Sequence, residues 1–373
     1  MAGLYVHIPF CAQACTYCDF HFTTQLRDRD AMVDALRREI RTALPHWSTE
    51  RFTTLYFGGG TPSLMGPAAL AAIAQEAFDG AEWSLEEWTV EANPEDLDPA
   101  TLDALREAGV NRLSIGAQSF QRDVLTWMRR IHGADKAESA VRNAAAAGFD
   151  HLSLDLIYGV PVGGSDRWQR DLDTALYLPA DHLSAYILTA EPQTLYGHQL
   201  QKGELREPPE DQVLREYGQL TQATADAGFE HYEVSSFARD GGRSRHNSAY
   251  WNGVPYLGIG PGAHSFRDQT RWWNARSNAQ YLKASAAGDF ASQQAQEVLN
   301  ATDRFNEALM TGLRRTEGVD PKGLLNNSGH DLKNHPELDR LLTAGQVEWH
   351  GGRLRIPRHH WPIGDAITVE LMA

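Results

Sequence analysis

Cysteine is scarce: there are three in 373 residues, all between positions 11 and 18. An odd number cannot pair off completely, so a disulfide framework is excluded. Basic charge is short as well. The chain has 34 Lys and Arg against 49 Asp and Glu, a net charge of −15, which argues against a dominant nucleic-acid role because phosphate binding demands a basic face. No apolar run is long enough to cross a bilayer. The opening Met1–Ile8 has no basic n-region and no cleavage site, so no signal peptide is expected. Together with thiols of the reduced, clustered kind, this places the chain in the cytoplasm. Internal repeats and low-complexity tracts are also missing. What remains is ordinary globular composition, 42% hydrophobic and 22% charged, with a length that allows one large domain or two to three smaller ones.

Cys11, Cys15 and Cys18 are spaced C-x3-C-x2-C. A closed tetrahedral zinc site wants a fourth ligand, which this spacing does not supply. The trio suits a cubane iron–sulfur cluster held by three cysteines, with one iron open to an outside ligand.

Hydrophobic patterning around this loop alternates strand and helix. Leu4–Ile8 reads as a buried strand running into the cysteine loop. Met32, Leu36, Ile40 and Ala43 recur at helical spacing. A second strand, Phe52–Phe57, ends in Gly58-Gly59-Gly60-Thr61-Pro62, and a third, Glu87–Ala92, follows a helix over 67–78. Asp98 with Pro99, and later Gly109, are start and stop signals of a helix. Strands at 112–116, 151–157 and 182–188 alternate with helices at 134–147 and from a Ser165 cap to Leu176. A further strand is predicted at 231–235. Six βα units imply parallel strands. They are too few for a closed eight-fold ring, so the expected fold is α/β, an open, partial (β/α)6 barrel. Its ligand end is the C-terminal end of the strands, where the cysteine loop, the glycine run, Glu91, Gln118 and Asp155 converge. After about residue 240 a polar loop, the His246-Asn247-Ser248-Ala249-Tyr250-Trp251 segment and a linker near 292–302 precede two helices and a hairpin about Gly351-Gly352. The expected division is a barrel over 1–235, a connecting segment over 236–297 and a small α+β, winged-helix-like domain over 298–373, with a structural or lid role.

The cysteine spacing and the glycine run resemble the radical SAM superfamily. That resemblance implies a [4Fe-4S] cluster on Cys11, Cys15 and Cys18, with S-adenosyl-L-methionine (SAM) on the open iron. Tyr5-Val6-His7-Ile8-Pro9-Phe10-Cys11, Ser114-Ile115-Gly116-Ala117-Gln118-Ser119-Phe120, Asp155–Pro161 and Gly258-Ile259-Gly260 are similar to the oxygen-independent coproporphyrinogen oxidase group. Carried over motif by motif, Tyr5, Gly59, Gly60, Thr61, Glu91, Gln118, Arg130 and Asp155 are implied SAM positions, and Tyr17 reaches a second SAM site. Carboxylates suit ribose hydroxyls, and Gln or Arg suits polar and carboxylate ends.

Two departures point away from the oxidases. Phe20 stands where they carry a fourth cysteine, and the chain begins almost at its first strand, where they carry an extension. Both features resemble the related heme chaperone family, as does H-N-x-x-Y-W. That likeness implies heme as cargo, with His246 as ligand and Tyr250 and Trp251 as aromatic surface. His264, His231, His7 and His21 are rival ligands. A loop position near the surface is expected for His246, since a carrier must release its heme. No catalytic residue is assigned. The implied partner is a heme-acceptor protein; a homodimer and peripheral membrane association stay open. Alternatives are a coproporphyrinogen III oxidase, a radical SAM enzyme acting on another substrate, and, more distantly, a nucleic-acid-binding winged helix.

Overall fold

The fold is described from a computed structural model over residues 1–164 and 166–373. The Ser165 cap therefore lies outside the described residues. Six strands alternate with helices: β1 (Ala2–Ile8), α1 (Arg29–Ala43), β2 (Arg51–Gly59), α2 (Pro67–Gly80), β3 (Glu82–Ala92), α3 (Pro99–Ala108), β4 (Arg112–Gln118), α4 (Arg122–Trp127), α5 (Ala134–Ala146), β5 (His151–Tyr158), α6 (Arg167–Tyr177) and β6 (His182–Ile187). They pair in sequence order, every pair parallel. β1 and β6 do not close on each other, so the barrel is open as expected. The helix punctuation also stands where the sequence puts it: Asp98 accepts from the Thr101 amide, and Gly109 is left-handed (φ 106°).

After α7 (Leu195–Gln201) and α8 (Glu210–Asp226), the chain forms β7 (Glu230–Glu233) and β8 (Ser236–Ala238). β8 pairs antiparallel with β6, and β7 with β8. The strand predicted at 231–235 is thus one arm of a hairpin that finishes the sheet. Residues 236–297 do not merely connect. They supply α9 (Arg245–Trp251), β9 (Tyr256–Ile259), β10 (His264–Arg267), β11 (Thr270–Asn274), α10 (Asn278–Ala287) and β12 (Gln294–Val298). β9 joins β1 in parallel, and β10, β11 and β12 continue outward antiparallel. The expected linker near 292–302 contains the edge strand β12, exposed along its length; its lack of apolar alternation hid it. The C-terminal region is α11 (Ala301–Gly312), α12 (Pro321–Ser328), α13 (Leu338–Thr343), the hairpin β13 (Glu348–His350) and β14 (Arg353–Arg355), and α14 (Gly364–Glu370). The two helices and the hairpin expected from the sequence are α11, α13 and β13–β14; α12 and α14 are additions it did not show.

One apolar core joins the sheet to its helices, through Leu4, Phe57, Val90, Leu113, Leu154 and Leu183, for example. Leu154 lies on β5, an interior strand between β4 and β6, and is fully buried. Leu154→Ala is expected to cost about 2–5 kcal/mol through lost transfer and a residual cavity, read as a lower urea midpoint with an unchanged slope.

Candidate functional site

The site starts at the end of β1. The Pro9 carbonyl accepts from Thr23 N–H (2.9 Å) and Cys11 N–H donates to the Thr23 carbonyl (3.0 Å), closing the base of the cysteine loop. Gly60 N–H donates to Ile8 (2.8 Å) and Thr61 N–H to Phe10 (2.7 Å), so the glycine run extends the β1–β2 pairing into the loop. A Cβ on Gly60 would sit 2.6 Å from the Phe10 carbonyl oxygen, and one on Gly59 (φ 114°) 2.6 Å from the His7 ring. Only glycine allows this approach. Gly59 N–H donates to Glu91 Oε2 (3.1 Å). The N–H groups of Gly59, Gly60 and Thr61 are therefore all engaged inside the chain, and carbonyl oxygen is what this run has to offer an amine.

The far side of the loop is clamped to the segment after α4. Thr16 N–H donates to Met128 (3.2 Å), the Thr16 hydroxyl to Trp127, and Gln13 Nε2 to Arg129 (3.0 Å). Tyr17 packs against Val124, Met128, Ile157 and Val160. Arg130 donates to Asn93 Oδ1 (2.6 Å), to the Gly116 carbonyl (2.7 Å) and to Cys15 Sγ (3.5 Å), while Thr61 Oγ1 lies 3.5 Å from Cys11 Sγ. Gln118 (φ 67°) and Arg129 (φ 59°) hold left-handed backbone beside the loop, a strain of about 1–3 kcal/mol each that clusters at functional sites. Asp171, buried on α6, fixes the turn after Gln118 by accepting from Ser119 Oγ, Phe120 N–H and Gln121 Nε2.

The three cysteines are free and half-buried at this mouth. Burial pushes the Cys11 thiol up to about 11 and Cys18 to about 12, so ligation there must displace protons. Among the described residues no three His, Cys, Asp or Glu side chains converge on a single-ion geometry. A cubane asks for something different, because each cysteine takes its own iron and the thiolates stand apart. Three otherwise unpaired thiols, a backbone cradle that a Cβ would fill, and a guanidinium and hydroxyl aimed at two of the sulfurs fit such a cluster. Phe20 is 65% exposed beside them.

Beneath the mouth the barrel interior is polar. Tyr56, Glu91, Ser114 and Asp155 face a small cavity of about 40 Å³. Tyr56 donates to Glu91 Oε1 (2.8 Å), and Ser114 to both Asp155 oxygens (3.1 and 3.0 Å). Burial, opposed by the Tyr56 and Gly59 hydrogen bonds, raises Glu91 to about 7, and burial raises Asp155 as well. Tyr5 reaches His7 Nδ1 (3.1 Å) and stacks on Tyr56. The structure thus gathers Tyr5, Tyr17, Gly59, Gly60, Thr61, Glu91, Gln118, Arg130 and Asp155 along one mouth and lumen. Sequence reasoning missed Asn93, Tyr56, Ser114 and Asp171. The signal was available for three of them: Tyr56 and Ser114 are polar residues at inward, alternate positions of apolar strands, and Asn93 ends one.

His246 is a correction. It does not sit on a surface loop but in helix α9 and is 1% exposed. The Glu87 carboxylate accepts from the Arg245 and His246 amides (both 2.9 Å) and seats α9 in the N-terminal half of the barrel. The ring stacks on Tyr56 (4.9 Å); Nδ1 meets Thr54 Oγ1 (2.8 Å) and Nε2 meets Tyr250 Oη (2.9 Å). Both nitrogens are taken. Of its rivals, His7 meets Tyr5 Oη and the His21 carbonyl, His21 meets Asn278, and His231 is buried against Phe237. His264 alone of the five is exposed. Tyr250 and Trp251 line a separate cavity of about 950 Å³ between β9–β11 and helices α11 and α12, which Tyr5 and His7 also touch.

Comparison with known proteins agrees with this architecture. The Radical SAM superfamily model matches residues 5–174, which together with the mouth defines a radical SAM protein. The fold is shared with coproporphyrinogen III oxidase (HemN) from Escherichia coli, described as a radical SAM enzyme, at a TM-score of 0.85 and 22% identity over 100% of this chain and 90% of that one. Heme chaperone HemW of Mycobacterium tuberculosis is 34% identical over 375 residues, covering 99% of this chain and 94% of the relative. HemW of Bacillus subtilis is 35% identical, with coverages of 89% and 88%. The chain belongs to the HemW family.

Two predictions follow from the geometry. Gly60→Ala is expected to push the Phe10–Cys11 segment off β2 and lower iron and sulfide uptake on anaerobic reconstitution, with the circular dichroism of the fold retained. Burial holds His246 near 3 and His7 and His231 near 4, against an ordinary 6.5. Below 6.5 the unfolded chain binds protons that the folded chain refuses, so stability present above pH 6.5 falls as pH drops toward 4, by about 1.4 kcal/mol per pH unit per histidine. His246→Gln should flatten that acid limb in a series of melting temperatures against pH.

Proposed function

We propose that the chain is a cytoplasmic heme chaperone: it binds heme, holds a [4Fe-4S] cluster with exchangeable SAM, and passes heme to an acceptor protein. The observation that carries this reading is the cavity of about 950 Å³ walled by Tyr250 and Trp251, which shares Tyr5 and His7 with the barrel. Its volume is at the upper end of the range for drug-sized ligands, about 300–1,000 Å³, and its aromatic walls suit a flat macrocycle. The HemW relatives are named heme chaperones, and Phe20 occupies the position of the oxidases' fourth cysteine. Among the described residues no helix is long and apolar enough to cross a membrane.

Cys11, Cys15 and Cys18 are the cluster ligands in this reading. A reduced cluster of this class supplies one electron to the sulfonium of bound SAM. The chain's own residues arrange the surroundings. Glu91 and Asp155 present carboxyl groups to hydroxyls, carbonyls of the 59–61 run accept an amine, and Arg130 offers positive charge to the cluster sulfurs and to a carboxylate. Tyr5 and Tyr17 close the sides of the mouth.

The test uses the full chain with its cluster reconstituted without oxygen. Hemin titration should give a saturable Soret band, and added apomyoglobin should draw the heme off. Coproporphyrinogen III should be unconsumed in the presence of SAM and reductant. Porphyrinogen loss coupled to SAM consumption would sink the chaperone reading in favour of the oxidase.

A further inference from the structure

The wall of the large cavity carries more chemistry than its aromatic residues. On β10, His264 and Phe266 point to one face, and both line the cavity, whereas Ser265 between them is buried on the other. The His264 ring stacks on Trp273 (centroids 5.5 Å apart, 20° between planes), and among the described residues no hydrogen bond engages its nitrogens. Burial and the neighbouring Arg271 and Arg276 lower its affinity for protons, which leaves a neutral imidazole with a free lone pair. Tyr250 and Tyr256 meet edge to face (4.5 Å, 84°) on the same wall.

Cationic groups line the opposite side. Arg304 donates to the Asn327 and Leu299 carbonyls and to Gln269 Oε1, Arg315 to Asn252 Oδ1, and Arg353 to the Glu317 and Gly318 carbonyls. Among the described residues none of these three arginines forms an ion pair with a carboxylate. Arg315 also keeps a buried Nε without any partner. Of the acids lining the cavity, Glu307 is matched by Arg271 in a two-pronged pair (2.8 and 2.9 Å), Asp268 lies beside Arg267 (3.6 Å), and Asp320 accepts from Lys322 N–H at the start of α12 (3.0 Å). A surplus of guanidinium groups held by neutral acceptors is a receptor for external carboxylates.

We propose that the cavity between β9–β11 and the C-terminal helices is the heme site, with His264 as an axial iron ligand and Arg304, Arg315 and Arg353 as the anchors of the propionates. The assignment rests on the chaperone reading and deepens it by naming where the cargo sits. It moves the ligand from the buried His246 to a histidine that a carrier can expose and release, and it leaves the motif's Tyr250 and Trp251 as porphyrin wall.

The test is a hemin titration of the full chain with its cluster in place, followed by the Soret band, with hemin dimethyl ester as a second probe. His264→Ala is expected to shift the Soret maximum and weaken binding by about tenfold or more, with added imidazole restoring the wild-type spectrum. His264 is exposed, so the variant should keep the wild-type melting temperature. Wild-type chain should prefer hemin to its ester by about tenfold, the worth of a charge-assisted hydrogen bond, and Arg304→Gln should shrink that preference. An unchanged spectrum and affinity in His264→Ala overturns the ligand assignment, most directly if His246→Ala loses the band instead. Equal binding of hemin and ester overturns the propionate anchors. A wild-type chain that gives no Soret band under any of these conditions overturns the chaperone reading itself, and the site with it.

Discussion

The pairing of the glycine run after β2 with the chain just past β1 is the contact on which the cysteine loop depends. Gly60 and Thr61 donate to Ile8 and Phe10, and Pro9 and Cys11 are tied to Thr23. Ile8, Pro9 and Phe10 are thereby fixed before the first cysteine is reached. The contact is short because Gly60 has no Cβ, and any larger residue must push against backbone, which has nowhere flexible to go. A loop of three thiols has little apolar content to order itself. Its geometry is borrowed from the strand ends, and the clamp at Thr16 and Gln13 fixes the other side.

A parallel barrel that stays open has an unusual interior problem. Its strands are buried on the outer face by helices, as parallel sheets require, but the inner face must be filled by something other than a closed ring of aliphatic layers. Here the inward positions are polar, and α9 enters the N-terminal half like a stopper. Glu87 receives two amides at the start of that helix, and Arg112, 4.0 Å from Glu87, donates to the Gly242 carbonyl. The Glu87 carboxylate and the helix amides satisfy one another, which is the condition for burying them at all, while Arg112 Nη2 keeps no hydrogen-bond partner among the described residues. His246 completes the stopper as a neutral ring with two partners. Its burial is a structural role read directly from the geometry.

The barrel was legible because its evidence is local: alternating strand and helix patterns, Asp98 with Pro99, Gly109, and three cysteines within eight residues. The position of α9 was not. Arg245 and His246 meet Glu87 across some 160 residues, and nothing within the H-N-x-x-Y-W segment itself encodes that partner. A short helix after a polar, glycine-bearing stretch reads as an exposed loop until the acid that seats it is known. Strand β12 was hidden for the opposite reason: an edge strand with exposed side chains carries no apolar alternation. The division of the site residues shows the same limit. Those at strand ends share a mouth because topology forces them together, whereas Tyr250 and Trp251, assigned with His246 as one motif, line the large cavity while the imidazole is buried behind them, its Nε2 on Tyr250 Oη.

That separation gives β1 a particular place. Its inward residues Tyr5 and His7 touch the large cavity, its last residue Ile8 holds the glycine run, and its continuation is the cysteine loop. On the other edge it carries β9, whose Tyr256 lies on the cavity wall and whose Gly260 follows directly, close to the His7 carbonyl. Interiors packed at crystal-like density pass displacement on rather than absorbing it. A shift at the end of β1 is therefore felt at the thiols and at the cavity together, through the Tyr5–His7 hydrogen bond and the β1–β9 ladder. The two sites are separate volumes, but they are built on one strand.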